Sequence, residues 1–106
     1  MRFLTLEMIK RQCRIELDDS EEDESLTFYG KAAEAVVVNH LNRPLYVEAV
    51  PENESSGLVM SDDIRMAMLL LVSDFYENRG HAPGSAPHKL PFVARQLLAP
   101  YRIIAI

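Results

Sequence analysis

Histidine and cysteine are the side chains of this sequence that could bind a metal or act in catalysis. The three histidines are His40, His81 and His88, and none stands at the helical His-x-x-x-His spacing of a metal site. His81 and His88 share a predicted loop, so a metal site there is conceivable, but the single cysteine, Cys13, is far away in sequence. Cys13 lies on an apolar helix stripe with no base in view, where it is expected to pack as a small hydrophobic residue.

A run of acidic residues between positions 16 and 24 raises the question of calcium binding. An EF-hand loop that began at Asp18 would have Asp23 where the sharp turn needs glycine, and Tyr29 where a bidentate glutamate belongs. A start one residue later fails in the same way. The sequence also has no glycine-rich phosphate loop and no nucleophile elbow. We therefore predict no catalytic residues, no metal and no cofactor, and interpret the chain as something other than an enzyme.

The charges are segregated along the chain, whose formal net charge is −5. Such a chain can associate head to tail, with opposite patches meeting around a closed ring, although two solvated surfaces of no special role are the alternative. The overall acidity argues against a dedicated DNA-binding protein, which normally carries a clustered basic face. The acidic candidates for a subunit interface or a channel lining are Glu16, Asp18, Asp19, Glu21, Glu22, Asp23 and Glu24. The basic candidates for a partner surface follow Asn78, where no acid occurs, and are Arg79, Lys89, Arg95 and Arg102.

Four predicted helices have to position these residues within a single domain, residues 1–106. Hydrophobic residues make up 48% of the chain, which suits a globular protein of modest core. Thr5 is a candidate N-cap for the first helix, and Asp19 or Ser20 for the second, which must end before Pro44. The fold class is therefore mostly α, a small bundle of about four helices. The predicted helices are residues 6–13, 21–41, 61–79 and 92–98.

Two of these helices carry apolar surface that suggests contacts beyond the usual core. Between Ile64 and Val72 only Arg65 interrupts an apolar run, which predicts a central helix buried on all sides, with one side available to another subunit. On the second helix a narrow stripe of small side chains lets another backbone approach closely. Gly30 in the same helix costs about 1 kcal/mol relative to alanine and weakens the prediction of an unbroken helix. The stripe consists of Phe28, Ala32 and Ala35.

Two segments have strand-like composition. Leu45 to Val50 and Leu58 to Met60 could pair as a short β-hairpin between the second and third helices, and a mobile loop is the alternative. The C-terminal tail either docks on a partner by adding a strand to an exposed sheet edge or covers its own core. This candidate docking tail is Tyr101, Arg102, Ile103, Ile104, Ala105 and Ile106.

Five stretches, in this order and spacing, resemble one known family over nearly the whole chain. That family is the head–tail connector family of tailed bacteriophages, often labelled as possible DNA-packaging proteins. Cys13 departs from the family's usual larger aliphatic residue, which alters packing and leaves the implied function intact. The stretches are LTLEMIKRQCRI at 4–15, NRPL at 42–45, DIRMA at 63–67, DFYENRG at 74–80 and LPFVARQLLAPYR at 90–102.

The resemblance implies a structural protein without catalytic residues. It implies a homo-oligomeric ring that docks on the portal protein, extends the DNA channel and offers a platform to tail or head-completion proteins. Double-stranded DNA would pass through without specific binding, and acids at positions 16–24 would line the channel or meet a neighbour's basic end. The implied location is the portal vertex of the virion, after assembly in the bacterial host cytoplasm. No membrane partner is expected, since the longest apolar run, Met66 to Val72, is far below the roughly 20 residues that span a bilayer.

A small helical DNA-binding regulator is the alternative function. It would need a recognition helix rich in basic and amide side chains. The best candidate, residues 92–98, offers Arg95 and Gln96 with little else.

Overall fold

The computed structural model describes residues 1–78 and 90–104 of the chain. Within these residues the fold is mostly α, with four α-helices, one short 3-10 helix and one pair of two-residue strands, which confirms the predicted class. No helix in the described part of the chain is long and apolar enough to cross a membrane. The elements are α1 (Leu6–Gln12), α2 (Asp23–Leu41), β1 (Leu45–Tyr46), β2 (Leu58–Val59), α3 (Asp62–Glu77), α4 (Phe92–Leu98) and the 3-10 helix Ala99–Tyr101.

The helix α3 organises the packing, because α2 and α4 contact it far more than they contact each other. A residue next to each of these two helices is hydrogen-bonded to α3. Tyr76 donates a hydrogen bond to Glu22, just before α2, and Asp63 accepts one from Tyr101, just after α4. At about 100° per residue, positions 63 and 76 are roughly 140° apart around α3. The two hydrogen bonds therefore start from different sides of α3.

The burial of α3 is less complete than its apolar sequence predicts. Its buried residues follow one broad face and belong to the hydrophobic core that α1, α2 and α4 share. Met66, however, is 44% exposed, so α3 is not buried on all sides within one subunit. The physical reason is that three helices cover one face of α3 and leave the opposite face uncovered. The buried residues are Ile64, Ala67, Met68, Leu71 and Val72.

Helix boundaries agree best with the sequence where a local signal is strong. The Thr5 side chain accepts a hydrogen bond from the Met8 N–H and caps α1 as predicted. The start of α2 differs: the helix begins at Asp23, and the predicted caps Asp19 and Ser20 are wrong because Glu22 holds the cap position without a side-chain cap bond. Those two residues belong instead to the acidic loop that precedes the helix.

Gly30 does not break α2, which is continuous through it. A Cβ atom at this position would lie 2.2 Å from Met1 Sδ and 2.7 Å from Ile9 Cδ1. Contacts this short do not occur between real side chains, so glycine allows the N-terminal segment and α1 to approach the helix closely. The residue that weakened the helix prediction is therefore explained by packing.

The strands β1 and β2 pair in parallel, with Leu45 opposite Leu58 and Tyr46 opposite Val59. A hairpin is antiparallel, so the predicted hairpin is wrong. The connection, residues 47–57, is long enough to carry the chain back to the starting end of β1, which a parallel pair requires.

Candidate functional site

The acidic segment, residues 16–24, is anchored to the rest of the fold by a lysine that the sequence interpretation did not single out. Lys10 lies at the end of α1 with its side chain only 6% exposed, and its Nζ is 2.8 Å from Asp23 Oδ1. The same ammonium donates to the carbonyl oxygens of Leu17 at 3.2 Å and Asp19 at 2.7 Å. A lysine a few residues before an acidic run is the only sequence signal for this contact. These contacts give the acidic segment a defined backbone conformation.

Two of the seven acids have half-buried side chains that bond to distant parts of the fold, and the other five have exposed side chains. Asp23 pairs with Lys10, and Glu22 accepts a hydrogen bond from the Tyr76 hydroxyl at 3.0 Å. Asp19 Oδ1 also accepts a bond from the backbone N–H of Glu21 at 3.0 Å, which shapes the loop further. The five acids with exposed side chains are Glu16, Asp18, Asp19, Glu21 and Glu24.

The basic candidates are brought together only in part. Arg79 and Lys89 lie outside the described residues. Arg102 Nε donates to the His40 carbonyl at 2.9 Å, beside the C-terminus of α2. Burial, and then the positive charges of Arg102 and Arg95, lower the pKa of His40 below its usual 6.5. Arg102 is thus bonded at the C-terminal end of α2, and Arg95 is close enough to this end to lower the pKa of His40.

The C-terminal tail begins as part of the domain. The Tyr101 hydroxyl donates to Asp63 Oδ2 at 2.5 Å, and the Ile103 N–H donates to the Leu41 carbonyl at 2.9 Å. The hydrogen bonds from Ser61 and Tyr101 hold the pKa of Asp63 below its usual 3.8. Tyr101 in turn has a raised pKa because its proton is bonded to that carboxylate.

Beyond Ile103 the tail has less support. Ile104 is 68% exposed, and Ala105 and Ile106 lie outside the described residues. Among the described residues of the predicted docking tail, Ile104 is therefore the one available to a partner without first giving up contacts within the domain.

Arg43 connects the tail to the strand connection. Its guanidinium donates to the carbonyl oxygens of Ser56 at 2.7 Å, Gly57 at 3.0 Å and Tyr101 at 3.2 Å. Arg43 follows Asn42, the C-cap of α2, whose backbone is left-handed with φ 56°. Its sequence signal was the motif NRPL, which predicts the helix end and says nothing of the partners.

The outer faces of α2 and α4 expose large apolar side chains. On α2, Phe28 is 71% exposed, on the side opposite the buried residues of the helix. On α4, Phe92 is 64% and Val93 55% exposed. Ala35 is also exposed and Ala32 half-buried, so the stripe predicted on the second helix lies on the outside of the domain.

The described residues hold no group of three histidine, cysteine or acidic side chains that could bind a metal ion. His81 and His88, the conceivable loop ligands, lie outside the described part of the chain. Cys13 is half-buried and packs against the hydrophobic core, in agreement with its expected packing role.

Comparison with known proteins identifies the family. The family described as "Phage gp6-like head-tail connector protein" matches residues 3–102. The fold is similar to that in the crystal structure of bacteriophage HK97 gp6, with a TM-score of 0.65 and 21% identity over 94% of this chain and 93% of that chain. No curated protein matches the sequence. The family match covers nearly all of the chain, and the chain therefore belongs to the phage gp6-like head–tail connector protein family.

Proposed function

We propose that this chain is the subunit of a closed ring at the portal vertex of a tailed phage or prophage. Its family makes it a structural phage protein that joins head to tail. In the proposed assembly, copies associate side by side, dock on the portal protein, extend the DNA channel and offer a surface to tail or head-completion proteins. Assembly takes place in the bacterial host cytoplasm.

The separation of opposite charges on the surface carries this proposal. Five exposed acids precede or begin α2, whereas Arg95 and Arg102 lie near its other end. Two unlike surfaces on one subunit favour heterologous contacts, and heterologous contacts close into a ring when the rotation between subunits permits it. In an isologous dimer each subunit contributes the same surface, so like charges meet unless the two-fold axis places the acidic end of one subunit against the basic end of the other.

The exposed acids are also compatible with a channel through which DNA slides without being bound. An acidic lining repels phosphates and does not hold the duplex by counterion release. The exposed acids of residues 16–24 therefore line or approach the channel, or else they meet the basic end of a neighbouring subunit. Only the second arrangement makes ring formation strongly sensitive to salt.

The exposed end of the tail is the proposed contact for a further head or tail protein. Within Tyr101–Ile106, the first three residues are bonded to the domain, and Ile104 is the first one that is not. Deleting residues 104–106 should leave the domain folded and abolish joining to portal-bearing capsids. If that shorter chain still joins them, residues 104–106 are not the contact, and if it unfolds, the tail serves its own domain instead.

Light scattering and negative-stain imaging of the purified chain with its cognate portal protein test the ring. We expect annular particles, alone or on the portal, at low salt. Raising salt from about 0.1 M to about 1 M shortens the Debye length from roughly 10 Å to 3 Å, and should weaken the ring if charged flanks hold it. If chain and portal, mixed at high concentration and low salt, form no joint complex, the proposed function is wrong.

A further inference from the structure

We infer that the outer face of α2 in one copy packs on the outer face of α4 in the next copy. The first face is Glu24, Phe28, Lys31, Ala35 and Val36, and the second is Phe92, Val93, Arg95 and Gln96. This inference rests on the proposed ring and names the surfaces through which neighbouring subunits meet.

The α2 outer face has the composition of an interface without a partner in the monomer. Phe28 is 71% exposed and Val36 is 39% exposed, although burial of such apolar side chains lowers the free energy. Ala35, two turns beyond Phe28, is exposed and small, so another helix can approach closely there. A shallow open hollow lies beside the Phe28 ring, lined by Asp23, Glu24, Thr27, Phe28 and Lys31.

The α4 outer face provides side chains that protrude. Phe92 is 64% exposed and Val93 is 55% exposed, while Ala94 and Leu98 of the same helix are buried on the domain side. The Arg95 guanidinium lies 5.9 Å from the centroid of the Phe92 ring, so charge and aromatic surface are presented together. An aromatic and arginine pair of this kind is typical of the side chains that dominate protein interfaces.

The α2 outer face of one copy is expected to meet the α4 outer face of a second copy, because the two faces do not meet within one copy. The two faces are on helices that both pack on α3 and have few contacts with each other. Both faces are exposed in the single subunit, so each is open to a neighbour and one subunit can contact two neighbours. We place the protruding Phe92 and Val93 of α4 in the open hollow beside Phe28 on the neighbour's α2.

The charges favour the same pairing and set its direction. Glu24 lies one turn before Phe28, and Lys31 lies about one turn after it, both with exposed side chains. Arg95 of the neighbour is attracted toward Glu24 and repelled by Lys31. The pairing therefore has a preferred register, with Arg95 on the Glu24 side of the Phe28 ring.

Complementary single substitutions test the contact directly. Phe28→Glu damages only the α2 face and Phe92→Glu only the α4 face, so each variant should weaken assembly on the order of 10- to 100-fold. Mixed together, the two variants should form 1:1 dimers and nothing larger, because one intact face remains on each. Val47→Glu, at an exposed apolar position outside both faces, is the matched control and should assemble normally.

Charge reversal tests the register. Glu24→Arg and Arg95→Glu should each weaken assembly, and the double variant should recover most of the loss. Circular dichroism of every variant verifies that the helices persist. Absence of recovery in the double variant would contradict the proposed register.

The outcomes separate this inference from the proposed function. If rings of the unmodified chain form but Phe28→Glu and Phe92→Glu assemble equally well, alone and on the portal, the inference is wrong and the ring stands. Variants that form rings but no longer join the portal would assign the faces to the portal and also overturn it. If the unmodified chain forms no ring with or without portal, both proposals fail.

Discussion

Buried polar side chains and exposed apolar side chains have opposite roles in this molecule. Lys10 and Glu34 are buried, and Arg43 is half-buried. Each of the three side chains bonds to backbone groups of another segment of the chain. Phe28 and Phe92 are exposed and have little to contribute to the monomer. The comparison indicates that the polar anchors shape the subunit, while the apolar outer faces contribute little to its fold.

Glu34 is the strongest of these anchors. It lies in the middle of α2, 8% exposed, and its carboxylate accepts the backbone N–H groups of Arg2 at 3.1 Å, Phe3 at 2.8 Å and Leu4 at 2.8 Å. These bonds hold the N-terminal segment against the helix where Gly30 leaves room for it. Sequence reasoning missed Glu34 because an acid in a helix is ordinarily interpreted as solvated surface.

The largest effect on stability is expected for Glu34→Ala. The change leaves three backbone donors without their acceptor, two of them buried, and should lower the free energy of unfolding by about 2–4 kcal/mol. Urea denaturation followed by circular dichroism measures it. Glu48→Ala, at an exposed site, is the control. An equal loss of unfolding free energy in this variant would contradict the anchoring role of Glu34.

A smaller loss, about 1–2 kcal/mol, is expected for Lys10→Met. This substitution keeps the apolar stem but removes the donor to Leu17, Asp19 and Asp23. It should also loosen the acidic segment, which limited proteolysis followed by mass spectrometry detects as new cleavage between residues 16 and 24. Lys31→Met, on the exposed face of α2, should produce neither change.

Acid should weaken the junction between the tail and α3. Asp63 has a folded-state pKa below its usual 3.8, so the stabilisation is present above that value and is lost as pH falls through the lower folded-state pKa. Asp63→Asn should therefore lose less stability than the unmodified chain between about pH 5 and pH 3. Tyr101→Phe removes one of the two side-chain donors and should have an intermediate acid dependence in urea denaturation.

The smallest effect on the monomer is expected at the apolar outer faces. Phe28→Ala should change the free energy of unfolding by no more than about 0.5 kcal/mol, because the ring is 71% exposed. Measured below the concentration at which the chain assembles, a loss comparable to that of Lys10→Met would contradict the division between anchors and outer faces.

Local signals in the sequence predicted the helices well. Phe92–Leu98 was predicted with its observed bounds, and Leu41 ends α2 as expected from the nearby Pro44. The Thr5 cap is likewise correct. These features depend on residues within one or two turns of each other, so a single stretch of sequence contains the whole cause.

The candidate surfaces were predictable as lists of charged and apolar residues, and less so as surfaces. The charge segregation is evident in the sequence. The sequence does not show, however, that Asp23 and Glu22 are paired inside the subunit while the five other acids stay exposed. The stripe with Phe28 was recognised, whereas Phe92 and Val93 were not identified as an exposed apolar face. Exposure depends on which side of each helix the rest of the chain covers.

By itself, the sequence determined the mostly α class, the approximate spans of the helices, the segregation of the charges and the resemblance to the connector family. Only the tertiary structure decided the parallel pairing of β1 with β2, the uncovered face of α3 and the partners of Lys10, Glu34 and Arg43. Those contacts join positions up to 58 residues apart. Helix periodicity and capping act over a few residues, whereas such pairings follow from the packing of the whole chain.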